Sequence, residues 1–184
     1  TFNGSLFLLP KDCRLTELTL EGISNIQGDF QCKDYFYVKE FVMPFIRVAG
    51  NMTIALNSGS VNTEAEIEFP NLLEIGGTLT LENNKNANNI TFPSLKKILG
   101  SCSVTTSHLK NDIEFTNLES IGTDGANAQI KFEIDGTNIL CPKLKTINGK
   151  FDITTSTVIF DMEADQVSYP NVESISENLS ITCP

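Results

Sequence analysis

A short phrase, aromatic-Pro-x-Leu-x-x-Ile-x-Gly-x-apolar-x-apolar, returns along this chain at nearly even intervals. It is written most clearly at Phe69-Pro70-Asn71-Leu72-Leu73-Glu74-Ile75-Gly76-Gly77-Thr78-Leu79-Thr80-Leu81 and at Phe92-Pro93-Ser94-Leu95-Lys96-Lys97-Ile98-Leu99-Gly100-Ser101-Cys102-Ser103-Val104. Cys141-Pro142-Lys143-Leu144-Lys145-Thr146-Ile147 leads on through Gly149 to Phe151 and Ile153, and Tyr169-Pro170-Asn171-Val172-Glu173-Ser174-Ile175 leads into Leu179 and Ile181. Weaker copies start at Met43-Pro44 and Phe115-Thr116, and Ile23, Ile26, Gly28, Phe30 and Cys32 fit the second half near the start. The anchors Pro44, Pro70, Pro93, Thr116, Pro142 and Pro170 are 26, 23, 23, 26 and 28 residues apart. A fixed period of twenty to fifty residues marks a solenoid. These copies predict about seven turns.

The tail of each unit alternates apolar and polar residues, as in Thr78-Leu79-Thr80-Leu81 and Lys150-Phe151-Asp152-Ile153. A period of two puts alternate side chains on opposite faces, which describes a half-buried strand. The Leu-x-x-Ile stretch supplies a second inward segment. The Gly between them reads as a corner, where backbone angles closed to other residues are open to it. Pro lacks the N–H that ladder pairing needs and so belongs in a turn or at a strand's first residue. One unit cannot bury its own apolar side, whereas stacked units share a continuous core. A leucine-rich repeat with helices on its convex side is the nearest competitor. No window carries the sustained three-and-four spacing such helices need. The expectation is an all-β fold, a parallel right-handed β-helix or leucine-rich solenoid, with residues 1–17 as an N-terminal cap segment and 18–184 as one repeat domain.

At 184 residues the chain suits a single domain with a sizeable core. A net charge of −10 with two arginines, Arg14 and Arg47, disfavours nucleic acid and anionic membrane surfaces as partners. No stretch of eighteen apolar residues occurs, so this segment is not expected to insert in a bilayer. The chain starts at Thr1 without a signal-peptide pattern, and any export signal or anchor is expected outside it.

Five cysteines cannot all pair within one chain. Cys32 and Cys102 fall at inward strand positions, and Cys141 takes the slot that Phe fills in other units. Cys102 and Cys141 read as small buried hydrophobes. Cys13 and Cys32 flank the first turn and could close it as a disulfide. No CxxC pair exists, and His108 is the sole histidine, so neither a zinc site nor another cofactor is expected. The Asn-x-Ser/Thr triplets at Asn3, Asn51, Asn89 and Asn178 are about as many as chance supplies in so Asn- and Thr-rich a chain.

The run from Phe69 to Asn84, repeated at Phe92, Cys141 and Tyr169, resembles the receptor L domain family. These are leucine-rich β-helical modules of insulin- and epidermal-growth-factor-type receptor ectodomains, with related fungal wall glycoproteins and bacterial surface proteins. The likeness covers roughly residues 18 to 184. It implies an L-domain-like coil and a cell-surface or secreted setting, and it transfers no catalytic or ligand-binding residue. The odd cysteine count and the lack of a cysteine-rich follower place the chain nearer the fungal and bacterial members, with a bacterial surface lipoprotein slightly favoured.

Candidate chemistry is sparse. Parallel β-helices include polysaccharide lyases and hydrolases, which need converging carboxylates, often with calcium, and a basic partner. Asp161, Glu163 and Asp165 come nearest, but apolar residues interleave them and no arginine is close in sequence. No Gly-x-Ser-x-Gly elbow accompanies His108, and Gly122-Thr123-Asp124-Gly125 lacks a phosphate-loop lysine. Thr80, Ser103, Asp152 and Ser180 form an outward row whose acidic member spoils an ice-binding array. Three units carry extra length: Asn57–Glu66, Thr123–Ala128 and Thr155–Ser168. Insertions in solenoids tend to project from one face, where partners bind. The expectation is therefore a non-enzymatic recognition or adhesion module. Its partner, a protein or glycan, would meet the sheet face and loops bearing Ser60, Asn62, Glu64, Asp124, Asn127, Asp161, Glu163 and Asp165. The alternative is a β-helix-type carbohydrate-active enzyme.

Overall fold

A computed structural model describes residues 1–9, 14–35, 37–56, 65–85, 87–107, 109, 111–124, 127–135, 139–155, 174–175 and 179–182. Among them the fold is all-β, with no helix, and every paired strand runs parallel to its neighbours. The chain coils through three sheets in turn.

The largest has eight strands: β1 (Leu6–Leu8), β4 (Phe30–Lys33), β7 (Met52–Ala55), β10 (Leu79–Glu82), β13 (Cys102–Ser107), β16 (Ala128–Asp135), β19 (Gly149–Thr155) and β21 (Leu179–Thr182). A six-stranded sheet holds β2 (Glu17–Thr19), β5 (Glu40–Val42), β8 (Ala65–Glu68), β11 (Ala87–Thr91), β14 (Ile113–Glu114) and β17 (Ile139–Leu140). The seven-stranded sheet holds β3 (Asn25–Ile26), β6 (Arg47–Val48), β9 (Glu74–Ile75), β12 (Lys97–Ile98), β15 (Ser120–Ile121), β18 (Thr146–Ile147) and β20 (Ser174–Ile175).

The solenoid expected from the repeat is therefore present, with two corrections. The six-stranded ladder has five steps, so about five turns are closed on all three sides rather than seven. Each coil also has three strands, whereas the phrase marks only two of them. The third lies in the interval between copies, where no fixed pattern announces it.

The registers stack like residues on like. Ile26, Val48, Ile75, Ile98, Ile121 and Ile147 make one buried column of the seven-stranded sheet. Phe30, Met52, Leu79, Cys102, Ile130 and Phe151 make another under the eight-stranded sheet. A third column is aromatic. Phe69 and Phe92 stack with centroids 5.0 Å apart and planes 3° from parallel, and Phe115 continues the stack 5.0 Å beyond Phe92. Each such pair adds about 0.5–1.5 kcal/mol to the burial of the rings. Cys141 follows Phe115 in this slot, half-buried against the core.

Phe-Pro-x-Leu is a turn. The Leu72, Leu95, Leu118 and Leu144 N–H groups donate to the carbonyls of Phe69, Phe92, Phe115 and Cys141 at 3.4, 3.4, 3.3 and 3.2 Å. Pro sits at the second position, whose φ its ring presets and whose N–H the turn does not use. All four leucines are buried in one row. Val172, expected in the same row, lies outside the described residues.

The glycines act by their smallness, which corrects the reading from backbone angles. Among the described residues, φ lies in the left-handed region at Gly22 and Gly122 but not at Gly50, Gly77 or Gly100. Instead, a Cβ on Gly77 would stand 2.5 Å from Asn51 Oδ1 and 2.9 Å from the Gly50 carbonyl carbon. One on Gly100 would stand 2.7 Å from the Gly77 carbonyl carbon. The Gly50, Gly77 and Gly100 N–H groups donate to Gly28, Gly50 and Gly77 carbonyls at 3.0, 2.9 and 3.0 Å. Backbone lies directly on backbone, leaving no room for a side chain.

Candidate functional site

The eight-stranded sheet has two long edges, and the chain treats them differently. On the edge where the chain enters from the seven-stranded sheet, the links 27–29, 49–51, 76–78 and 99–101 are three residues long, while 122–127 has six residues and 148 stands alone. Side chains there are recruited as a second ladder. Asp29 N–H donates to Ser5 Oγ (2.9 Å), Asn51 N–H to Asp29 Oδ1 (2.7 Å), Thr78 N–H to Asn51 Oδ1 (2.8 Å) and Gln129 N–H to Ser101 Oγ (2.9 Å).

On the other edge, where the chain leaves for the six-stranded sheet, the links 9–16, 34–39, 56–64, 83–86, 108–112 and 136–138 are 8, 6, 9, 4, 5 and 3 residues long, no two alike. Asn84 anchors this edge. Fully buried, it accepts from Leu56 N–H at 2.9 Å and donates to the Ile54 carbonyl at 3.0 Å. An unpaired polar group at that depth would be costly, and both functional ends of its amide are used.

Between these edges the outward face of β7, β10 and β13 is built from small polar groups. Thr53, Thr80 and Ser103 form its central row, flanked by Asn51, Thr78 and Ser101. The row continues to Lys131, Asp152 and Ser180, so the expected alignment of Thr80, Ser103, Asp152 and Ser180 holds in register. Lys131 pairs with Glu133 at 2.5 Å and Lys150 with Asp152 at 2.8 Å. Lys33 reaches over the buried, small Ala55 to meet Glu82 at 3.0 Å, two strands away.

The other two faces are charged. Glu17, Glu40 and Glu66 are in register on the six-stranded sheet, with Glu68 and Glu114 in the neighbouring row. Asn88 and Asn89 each donate to the Glu66 carboxylate, the latter at 2.8 Å, and Asn111 donates to Asn88 Oδ1 at 2.9 Å. On the seven-stranded sheet Arg47 meets Glu74 at 2.8 Å. These rows escaped sequence reading because the strand carrying most of the glutamates has no phrase of its own. Ladder register was the missing signal.

Asp124 and Asn127 are exposed in the link between β15 and β16, on the entry edge. Ser60, Asn62 and Glu64, which follow β7 in sequence, lie outside the described residues, as do Asp161, Glu163, Asp165 and His108. The three expected insertions also shrink slightly: Ala65 and Glu66 are in β8, Ala128 opens β16 and Thr155 closes β19.

Cys32 is a free thiol with its side chain in the core, and Cys13, its expected disulfide partner, lies outside the described residues. Cys102 and Cys141 are also free. Burial pushes the Cys102 thiol up to about 12, and burial with a smaller contribution from Cys102 raises that of Cys141. Raised thiol pKa values mean little thiolate and little nucleophilicity near neutrality. Among the described residues, no three His, Cys, Asp or Glu side chains gather closely enough to hold a metal ion.

No protein-family model, curated protein or solved structure matches this chain.

Proposed function

We propose that this chain is a non-enzymatic recognition or adhesion module of a secreted or surface-displayed protein, akin to receptor L domains. Its partner, a protein or a glycan, lies across the outward face of the eight-stranded sheet and is selected by the links on the exit edge. The observation that carries this reading is the exit edge itself, where no two of the six links between the eight- and six-stranded sheets have the same length, beside a central face of Thr53, Thr80 and Ser103. A rigid ladder holds Thr53, Thr80 and Ser103 at a constant step of about 4.8 Å, so many weak polar contacts act together at little entropic cost. Length changes in solenoid repeats tend to lie on the binding face.

The test is a glycan array and a surface-protein pull-down with three proteins: the whole chain, a variant lacking residues 58–61, and a Thr80→Lys/Ser103→Lys variant. Both variants should lose at least about tenfold in affinity for any captured partner, equivalent to roughly 1.4 kcal/mol. Their melting temperatures should stay close to that of the parent. Capture unchanged in both variants would remove the face and edge as the binding surface.

A further inference from the structure

We propose that the flank of the seven-stranded sheet from β12 to β18 is a binding stripe for a linear anionic glycan, a single sugar chain bearing sulfate or carboxylate groups. The turns and strands of this flank, residues 93–98, 116–121 and 142–147, carry Lys96, Lys97, Lys143 and Lys145 against one carboxylate, Glu119. All five side chains belong to exposed residues. Acidic residues outnumber lysine and arginine by 23 to 13 in this chain, so a local excess of cations runs against its composition. Elsewhere Lys33, Lys131 and Lys150 each meet a carboxylate within 3.0 Å. Among the described residues none of the four flank lysines does. Glu74, in register beside Lys97, is taken by Arg47 at 2.8 Å.

Ladder register turns this excess into a pattern. Glu119 N–H donates to the Lys96 carbonyl at 2.9 Å and Lys145 N–H to the Glu119 carbonyl at 3.0 Å, so the three residues stand one per coil in a row. Lys97, Ser120 and Thr146 form the row beside it. At the corner Lys143 Nζ donates to Asn117 Oδ1, and Asn117 Nδ2 donates to the Pro93 carbonyl. Two lysine pairs therefore stand two strand steps apart, about 9.6 Å, with hydroxyl and amide groups in the coil between. The coils fix that spacing before a ligand arrives, which lowers the ordering cost of binding.

The shape of the stripe selects its occupant. β12, β15 and β18 are each two residues long, so the stripe is narrow and runs along the solenoid axis. A membrane or a nucleic-acid duplex is broader and would also meet the glutamate rows of the adjoining six-stranded sheet, where like charge repels it. A single chain stays within the stripe. The main chain here is spent on the ladder, so an extended peptide gains no strand pairing. Sugar hydroxyls can instead meet Ser120 and Thr146 while the anionic groups meet the lysine pairs. This site lies on a different sheet from Thr53, Thr80 and Ser103 and takes a ligand of its own.

Titration of the whole chain with a heparin oligosaccharide, a sulfated uronate polymer, tests this at low ionic strength. Binding is expected, and it should weaken as salt screens the lysines. Replacing all four, Lys96→Gln, Lys97→Gln, Lys143→Gln and Lys145→Gln together, should lower affinity by about tenfold or more with the thermal melt unchanged. Glu119→Gln removes the one opposing charge and should raise affinity. The variant lacking residues 58–61 should bind heparin as the parent does, which separates this site from the exit edge. Absence of heparin binding at low salt, binding indifferent to the fourfold change, or poly-glutamate bound as tightly as heparin would overturn the proposal.

Discussion

The two edges of the eight-stranded sheet obey opposite rules although the same strands create both. On the entry edge the first four links are three residues long, the Gly50, Gly77 and Gly100 amides meet the carbonyl of the preceding coil at 2.9 to 3.0 Å, and a single Cβ there would collide with backbone. Only the links 122–127 and 148 depart from that length. On the exit edge link length drifts from coil to coil, and Asn84 supplies a local tie between β7 and β10. A solenoid needs its rise fixed at only some of its corners. Where the ladder is already held, the remaining corner is free to vary in length and sequence, because a longer surface loop costs only about 0.6 kcal/mol per doubling.

That contrast can be broken most severely at Gly77. Gly77→Ala puts a methyl group against the Gly50 and Asn51 backbone, which cannot rotate away, and should cost about 3 kcal/mol, at the upper end of overpacking effects. Denaturant titration would measure it, and a cost below about 1 kcal/mol would mean that the coils can part at this corner. The Asn84→Ala change is next in size. It strands the Leu56 N–H and the Ile54 carbonyl, so about 2 kcal/mol should be lost, with faster amide exchange at Leu56. The smallest effect belongs to removal of residues 58–61, which should move stability by no more than about 0.6 kcal/mol. A loss comparable with that of Gly77→Ala would erase the distinction between the edges.

The sequence made one edge readable and left the other obscure for a physical reason. Gly28, Gly50, Gly77 and Gly100 sit where a Cβ would come within 3 Å of backbone, so they recur and expose the period, and Ala128 takes the next place in the column. The Phe69, Phe92 and Phe115 turns recur because a stacked ring and an i-to-i+3 hydrogen bond constrain the same four residues. The six-stranded sheet is different. Ala65, Ala87 and Ile113 follow links of unequal length, so their strands drift out of phase with the phrase. The exit-edge site was anticipated only as extra length, and Asp124 and Asn127 fall on the opposite edge because length alone does not say at which corner a residue lies. Asn84 was visible only as part of a polar run; nothing local distinguishes it from Asn83, which has a left-handed backbone instead.

The aromatic turns at Phe69, Phe92 and Phe115 begin 23 residues apart and present the same ring, hydrogen bond and following three-residue or longer link. A segment with matching joints above and below is an interchangeable module. Duplicating or excising one whole coil here restores every junction it disturbs, so the height of the body can change through gene slippage while its cross-section stays the same.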